Sequence, residues 1–145
     1  MSVCSRRLLL AISLLAMAGI AASSVSLYHH YGSSRTSYCD LGENFNCDIV
    51  NRSTYSAVLG IPVALIGIIG YFGLLALSTV YRSKAETPIL LLIASVAGLG
   101  FAIYLTYIEG FVLAAWCVLC LSSLALIFSI CVLSSLLVAR TARNA

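Results

Sequence analysis

The sequence predicts an all-α integral membrane protein: a bundle of four transmembrane helices with one long extracytoplasmic loop between helices 1 and 2. Three observations predict it. Of 145 residues, 61% are hydrophobic and 9% are charged, against roughly 25% charged in an ordinary soluble domain. The mean hydropathy is +1.06, which leaves little polar surface to turn toward water. Four apolar runs also reach the roughly 20 residues that cross a hydrocarbon core about 30 Å thick. In lipid only helices and closed barrels satisfy every backbone group, and runs this continuous lack the alternation of barrel strands. Residues 1–145 read as a single membrane domain.

The first span covers approximately Leu8–Leu27. Arg6 and Arg7 before it, with small residues around Ala21–Ser24 after it, also fit a cleaved signal peptide. The apolar run is long for that role, and its removal would divide the basic residues between the two sides of the membrane. An uncleaved helix is therefore expected. Next comes the only long polar loop, from Tyr28 to about Ser56, carrying Asp40, Glu43 and Asp48 against Arg35 and Arg52. The second span runs over Ala57–Val80, where Gly67, Gly70 and Gly73 suit close helix packing. The third covers Pro88–Ile108 and the fourth Val112–Val138.

Orientation follows from the basic residues. Arg6, Arg7, Arg82, Lys84, Arg140 and Arg143, six of the eight Lys and Arg, fall on one side, and the positive-inside rule makes that side cytoplasmic. Both termini are then cytoplasmic, and the polar loop faces outward from a multi-pass protein of the plasma (inner) membrane. The net charge of +3 records this orientation and gives no reason to expect a nucleic-acid partner.

Six cysteines sort by compartment. Cys39 and Cys47, with seven residues between them, lie in the loop, and Cys117 and Cys120 form a C-x-x-C at the mouth of the last span. All four belong to the outer face, where disulfides persist. Cys4 is cytoplasmic, and Cys131 lies eleven residues past Cys120, about 16 Å deeper along a helix. In a C-x-x-C the two sulfurs meet within one helical turn, and amides near a helix N-terminus favour the attacking thiolate. Half of a zinc site is the rival reading, but the wide loop spacing does not suit closed zinc ligation, and no metal is expected. For Cys39 and Cys47 a plain loop staple is the alternative. Gly42, Asn44, Asn46 and three acids offer little apolar surface to hold such a loop rigid, which suits a disulfide that exchanges between partners. Two pairs on one side thus suggest a relay from a soluble thiol to a lipid-dissolved oxidant.

The order of motifs resembles the vitamin K epoxide reductase family, specifically its prokaryotic disulfide-forming branch. The matching residues are Cys39-Asp40, Cys47-Asp48-Ile49-Val50-Asn51-Arg52-Ser53, Leu59-Gly60-Ile61-Pro62-Val63-Ala64, Tyr104-Leu105 with Tyr107, and Trp116-Cys117 with Cys120. The resemblance implies that Cys39 exchanges with an extracytoplasmic thioredoxin-like (DsbA-like) protein and that Cys47 passes electrons to Cys117. It further implies that Cys120 faces a quinone, ubiquinone or menaquinone, with Ser53 bonding a quinone oxygen or shaping its pocket. Animal members carry Tyr four residues after the last cysteine; here Leu124 stands there, which argues against vitamin K epoxide as the substrate. Some relatives carry a fused thioredoxin-like domain. None is expected here, so the partner acts in trans.

Other residues read more plainly. Phe101, Tyr104 and Tyr107 recur at three-residue spacing and either line a quinone cavity or pack. His29 and His30 read as interfacial polar anchors, and Glu109 as an exposed boundary carboxylate with proton acceptance as its alternative. Asn51-Arg52-Ser53 also forms a glycosylation sequon, disfavoured by its closeness to the membrane. From a different class, a small four-helix transporter with structural disulfides needs a charge within the membrane, and no acid falls inside the four predicted spans. A quinone-epoxide reductase remains the other alternative, using the same sites.

Overall fold

The computed structural model describes residues 3–32, 45 and 47–144, positions 47 and 48 through their backbone alone. Helix α1 spans Val3–Tyr31, short α2 spans Cys47–Asn51, and a 3-10 turn covers Thr54–Ser56. Strands β1 (Ala57–Val58) and β2 (Ile61–Pro62) then pair antiparallel. Helices α3 (Val63–Thr79) and α4 (Thr87–Tyr107) follow, then a π-helical turn (Ile108–Leu113) and α5 (Val118–Arg143). Helix α1, the joined α4 and π turn, and α5 are each long and apolar enough to cross a membrane. With 17 residues, α3 reaches about 25 Å, the short limit for a span.

Two predicted boundaries move. The second helix begins at Val63 rather than Ala57, because Ala57–Pro62 folds into a hairpin. Its turn residues Leu59 and Gly60 have φ of 53° and 83°, the two-residue geometry that matches strand twist. Pro62, lacking an N–H and fixed in φ, then suits the entry to α3. The third apolar helix does not end at Ile108. It continues through Leu113 as the π turn, so the reversal falls at Ala114, whose φ is 48°, and the fourth helix starts at Val118 rather than Val112.

Burial explains the assembly. On α1, Leu9, Ile12, Ser13, Ala16, Gly19, Ser23 and Ser26 are buried, a repeat of three and four that makes one face. They meet Tyr71 and Leu74 of α3, Leu91 of α4, and Ile127, Ile130 and Leu137 of α5 in one core. Large apolar residues such as Leu14, Ile69, Phe72 and Ile93 point outward, while Ser13, Ser78, Ser95 and Ser134 are inside. That is the reverse of a soluble protein and the pattern of helices packed in lipid. Ser13 and Ser78 join α1 to α3 through hydroxyls 3.0 Å apart.

A tight helix contact is at Gly19, where a Cβ would lie 2.4 Å from the Tyr71 ring. At Gly67 a Cβ would meet the Ser23 hydroxyl at 2.8 Å, but at Gly70 and Gly73 it would meet nothing within 4 Å. Close helix packing thus falls at Gly19, Gly67 and Gly98, where a Cβ would stand 3.2 Å from Ile127, and not at Gly70 or Gly73. The two chain ends lie together, with Arg140 contacting the Cys4 sulfur. Ile12, Leu91 and Ile130, all fully buried, fill the bundle toward that end. A cavity occupies the other half, beneath α2.

Candidate active site

The C-x-x-C is positioned by the π turn. Left-handed Ala114 reverses the chain, and the Ala115 amide donates to the Glu109 carbonyl oxygen at 3.1 Å. Gly110 lets Trp116 fold back over the turn: a Cβ there would stand 3.0 Å from the indole. Extended Cys117 (φ −107°, ψ 118°) caps the N-terminus of α5, and Cys120 follows on its first turn. The two cysteines differ in surroundings. Cys117 is fully buried, packed with Val50 of α2 and Ala115. Cys120 is half-buried and lines the cavity.

Glu109 corrects the expectation of an exposed boundary carboxylate. It is 2% exposed, because the helix runs on past it and Trp116 and Cys117 return across the turn. The Cys117 amide donates to Oε2 at 3.2 Å. The Cys120 side chain hydrogen-bonds the same carboxylate, although Oε1 accepts no well-formed hydrogen bond among the described residues. An acid therefore does lie within an apolar helix, joined to the cysteine pair.

The loop reaches this site through its last residues. Phe45 forms a parallel β-bridge with Trp116, and bridged backbones lie about 4.8 Å apart. Two residues later Cys47 opens α2; Val50, one turn on, packs on Cys117. Cys39 lies outside the described residues. The segment bearing Cys47 is thus held against the segment bearing Cys117.

The cavity measures about 360 Å³, within the range of small-molecule sites. Its walls are mostly apolar, among them Ile66, Leu74, Ala97, Leu105 and Ile127. Beneath α2 the wall turns polar, with Ser26, His30, Asn51, Ser53 and Ser56. Asn51 is 7% exposed. Its Oδ1 accepts from the Ser26 hydroxyl at 2.8 Å, its carbonyl oxygen meets His30 Nδ1, and its Nδ2 has no partner among the described residues. Buried in this way, Asn51 is a poor glycosylation acceptor. The Ser53 hydroxyl donates to the Val50 carbonyl oxygen at 2.8 Å, so at the wall it offers lone pairs and shape rather than its proton.

The aromatic residues divide. Phe101 is on the cavity wall with Leu105 and Ile108, four and seven residues along one helical face. Tyr104 is exposed and absent from that wall, since three residues rotate it about 60° off the face of Phe101. Tyr107 is also exposed and stacks on Phe111 with centroids 4.9 Å apart. His29, read as an interfacial anchor, is buried, whereas His30 reaches the cavity. Two wall residues were given no site role from the sequence. Asn51 was hidden within a sequon, and Tyr71, whose hydroxyl meets the Ser123 hydroxyl at 2.8 Å, was one aromatic in an apolar run.

A buried cysteine packed against α2 and a second cysteine on the cavity wall thus stand within one turn of each other at the start of α5. Residues 10–135 match the model of the Vitamin K epoxide reductase family, most of the chain, and the protein belongs to that family of membrane oxidoreductases that work with quinones.

Proposed function

We propose that this member of the vitamin K epoxide reductase family is a membrane thiol–quinone oxidoreductase that re-oxidises a thioredoxin-like (DsbA-like) protein outside the cytoplasm. It thereby supports disulfide formation, with four spans and both termini on the cytoplasmic side of the plasma (inner) membrane. The observation that carries this reading is the division of roles within the C-x-x-C. Cys117 is buried against Val50 of α2 and Cys120 lines the cavity, an arrangement that supports exchange with a protein sulfur at the first and with a small oxidant at the second.

Each transfer is a thiolate attack on a disulfide through a mixed disulfide. A partner thiolate attacks the Cys39–Cys47 disulfide at Cys39, and the partner's second thiol resolves the bond, leaving the loop pair reduced. The Cys47 thiolate attacks Cys117 of the Cys117–Cys120 disulfide and displaces Cys120. Cys39 then closes on Cys47, which restores the loop disulfide and leaves the C-x-x-C as a dithiol. Quinone takes the two electrons and two protons, so that partner dithiol and quinone become partner disulfide and hydroquinone. The cavity suits such an acceptor: the walls are mostly apolar, and Asn51 Nδ2, which has no partner among the described residues, is a donor for a carbonyl oxygen. Ubiquinone and menaquinone both have that chemistry.

The buried Glu109 removes one objection to a transporter. Yet its carboxylate is held by Cys117 and Cys120, and fully buried Ile12, Leu91 and Ile130 fill the bundle beyond the cavity. Those contacts tie the acid to redox chemistry. The test is quinone reduction by a reduced thioredoxin-fold protein, with Cys39, Cys47, Cys117 and Cys120 each changed to Ser. Every variant should lose turnover. Full turnover in any of them, with only stability reduced, would show that the cysteines are staples.

A further inference from the structure

Glu109 is an ionisable residue within an apolar helix, and such a residue is expected to have a functional partner. It stands on a π turn, a form of helix frequent at functional sites. Three observations define its partner. Oε2 is fixed by the Cys117 amide at 3.2 Å, the Cys120 side chain bonds the carboxylate, and Oε1 is a buried acceptor on the cavity wall without a well-formed hydrogen bond among the described residues. Besides Glu109 and Cys120, the titratable groups on that wall among the described residues are His30, Tyr55 and Tyr71. His30 is engaged by the Asn51 carbonyl oxygen, and Tyr71 by Ser123.

Building on the function proposed above, we infer that Glu109 is the proton-transfer residue of the last step, taking the Cys120 proton and delivering it to the quinone oxygen. The balance is simple. Two thiols become one disulfide, releasing two electrons and two protons, and the quinone gains both pairs as hydroquinone. Glu109 accepts the Cys120 proton, discharges it to the acceptor oxygen from the cavity side, and then carries the Cys117 proton by the same route. A carboxylate fixed at one oxygen and open at the other is suited to this work. Water is not required as the carrier in an apolar-walled cavity.

The test compares Glu109→Gln, which keeps shape and an acceptor oxygen but cannot carry the proton, with Glu109→Asp, which can. Protein reduced beforehand is mixed with a soluble ubiquinone analogue, and dithiol oxidation is followed by stopped flow. A general acid–base group contributes about 10²–10⁴-fold, so Gln should slow oxidation by at least about 100-fold. Asp should recover at least about tenfold of that loss. Exchange between Cys117 and the loop disulfide, measured in a Cys120→Ala background, should be unchanged by Gln. Oxidation in the Gln variant within about threefold of the unsubstituted rate would overturn the inference. So would equal losses for Gln and Asp, loss of the Cys117 exchange, or failure of the Gln variant to fold, each marking a structural role. Failure of the unsubstituted protein to reduce quinone would instead sink the proposed function.

Discussion

Phe45 and Trp116 are joined by a parallel backbone bridge across 71 positions of sequence. Each stands beside a cysteine of the proposed relay: Cys47 is two residues past Phe45, and Cys117 is one past Trp116. A disulfide needs Cα atoms within about 7 Å, and the bridge holds the two backbones within that scale. The proposed exchange between the pairs therefore needs little movement of the backbone around Phe45 and Trp116.

If Asn51 Nδ2 donates to a quinone carbonyl, Asn51→Ala should raise the KM for quinone. Loss of a hydrogen bond of about 1–1.5 kcal/mol corresponds to roughly tenfold. Exchange between the loop and C-x-x-C pairs should be little altered, because Asn51 bears no sulfur chemistry. Steady-state kinetics with varied quinone would show the split. An unchanged KM would remove Asn51 from the site.

Gly19→Val places two methyl groups where even a Cβ would lie 2.4 Å from the Tyr71 ring. Overpacking typically costs about 1–3 kcal/mol, so thermal unfolding in detergent should move to lower temperature. The displaced ring should also disturb the cavity wall and weaken quinone binding. Gly73→Val, at an exposed position with no neighbour within 4 Å, is the control and should melt near the unsubstituted protein. Equal melting of both variants would contradict the tight α1–α3 contact.

The apolar runs made the helices legible because lipid requires continuous hydrophobic surface, and the C-x-x-C spacing marked a candidate pair for an equally local reason. What escaped prediction depends on long-range geometry. Nothing in the apolar run signals that Val112 and Leu113 continue the preceding helix as a π turn, so Glu109 read as exposed. Asn51 gains its meaning from Ser26, 25 residues away, and Gly19 from Tyr71 on another helix. Gly70 and Gly73 misled for the same reason, since glycine composition shows that close approach is possible without saying where it occurs.

The orientation has its own test. With the loop outside and the termini inside, a membrane-impermeant maleimide applied to reduced, intact cells should label Cys39 or Cys47. It should spare Cys4, although Cys4 is exposed on the protein surface. Strong labelling of Cys4 from outside would reverse the orientation and remove the case for an extracytoplasmic partner.

The central claim is the hand-off between Cys47 and Cys117, and trapping it is the most direct measurement. In Cys120→Ala, Cys117 keeps its thiol but has lost its resolving neighbour. Its thiolate should attack the loop disulfide at Cys47 and release Cys39, giving a Cys47–Cys117 bond. Acid quenching, alkylation and non-reducing peptide mapping by mass spectrometry would identify that bond. The account predicts Cys47–Cys117 as the dominant inter-pair disulfide, with Cys39 alkylated. A Cys39–Cys117 bond would reverse the order of the loop cysteines, and no inter-pair bond at all would contradict the relay.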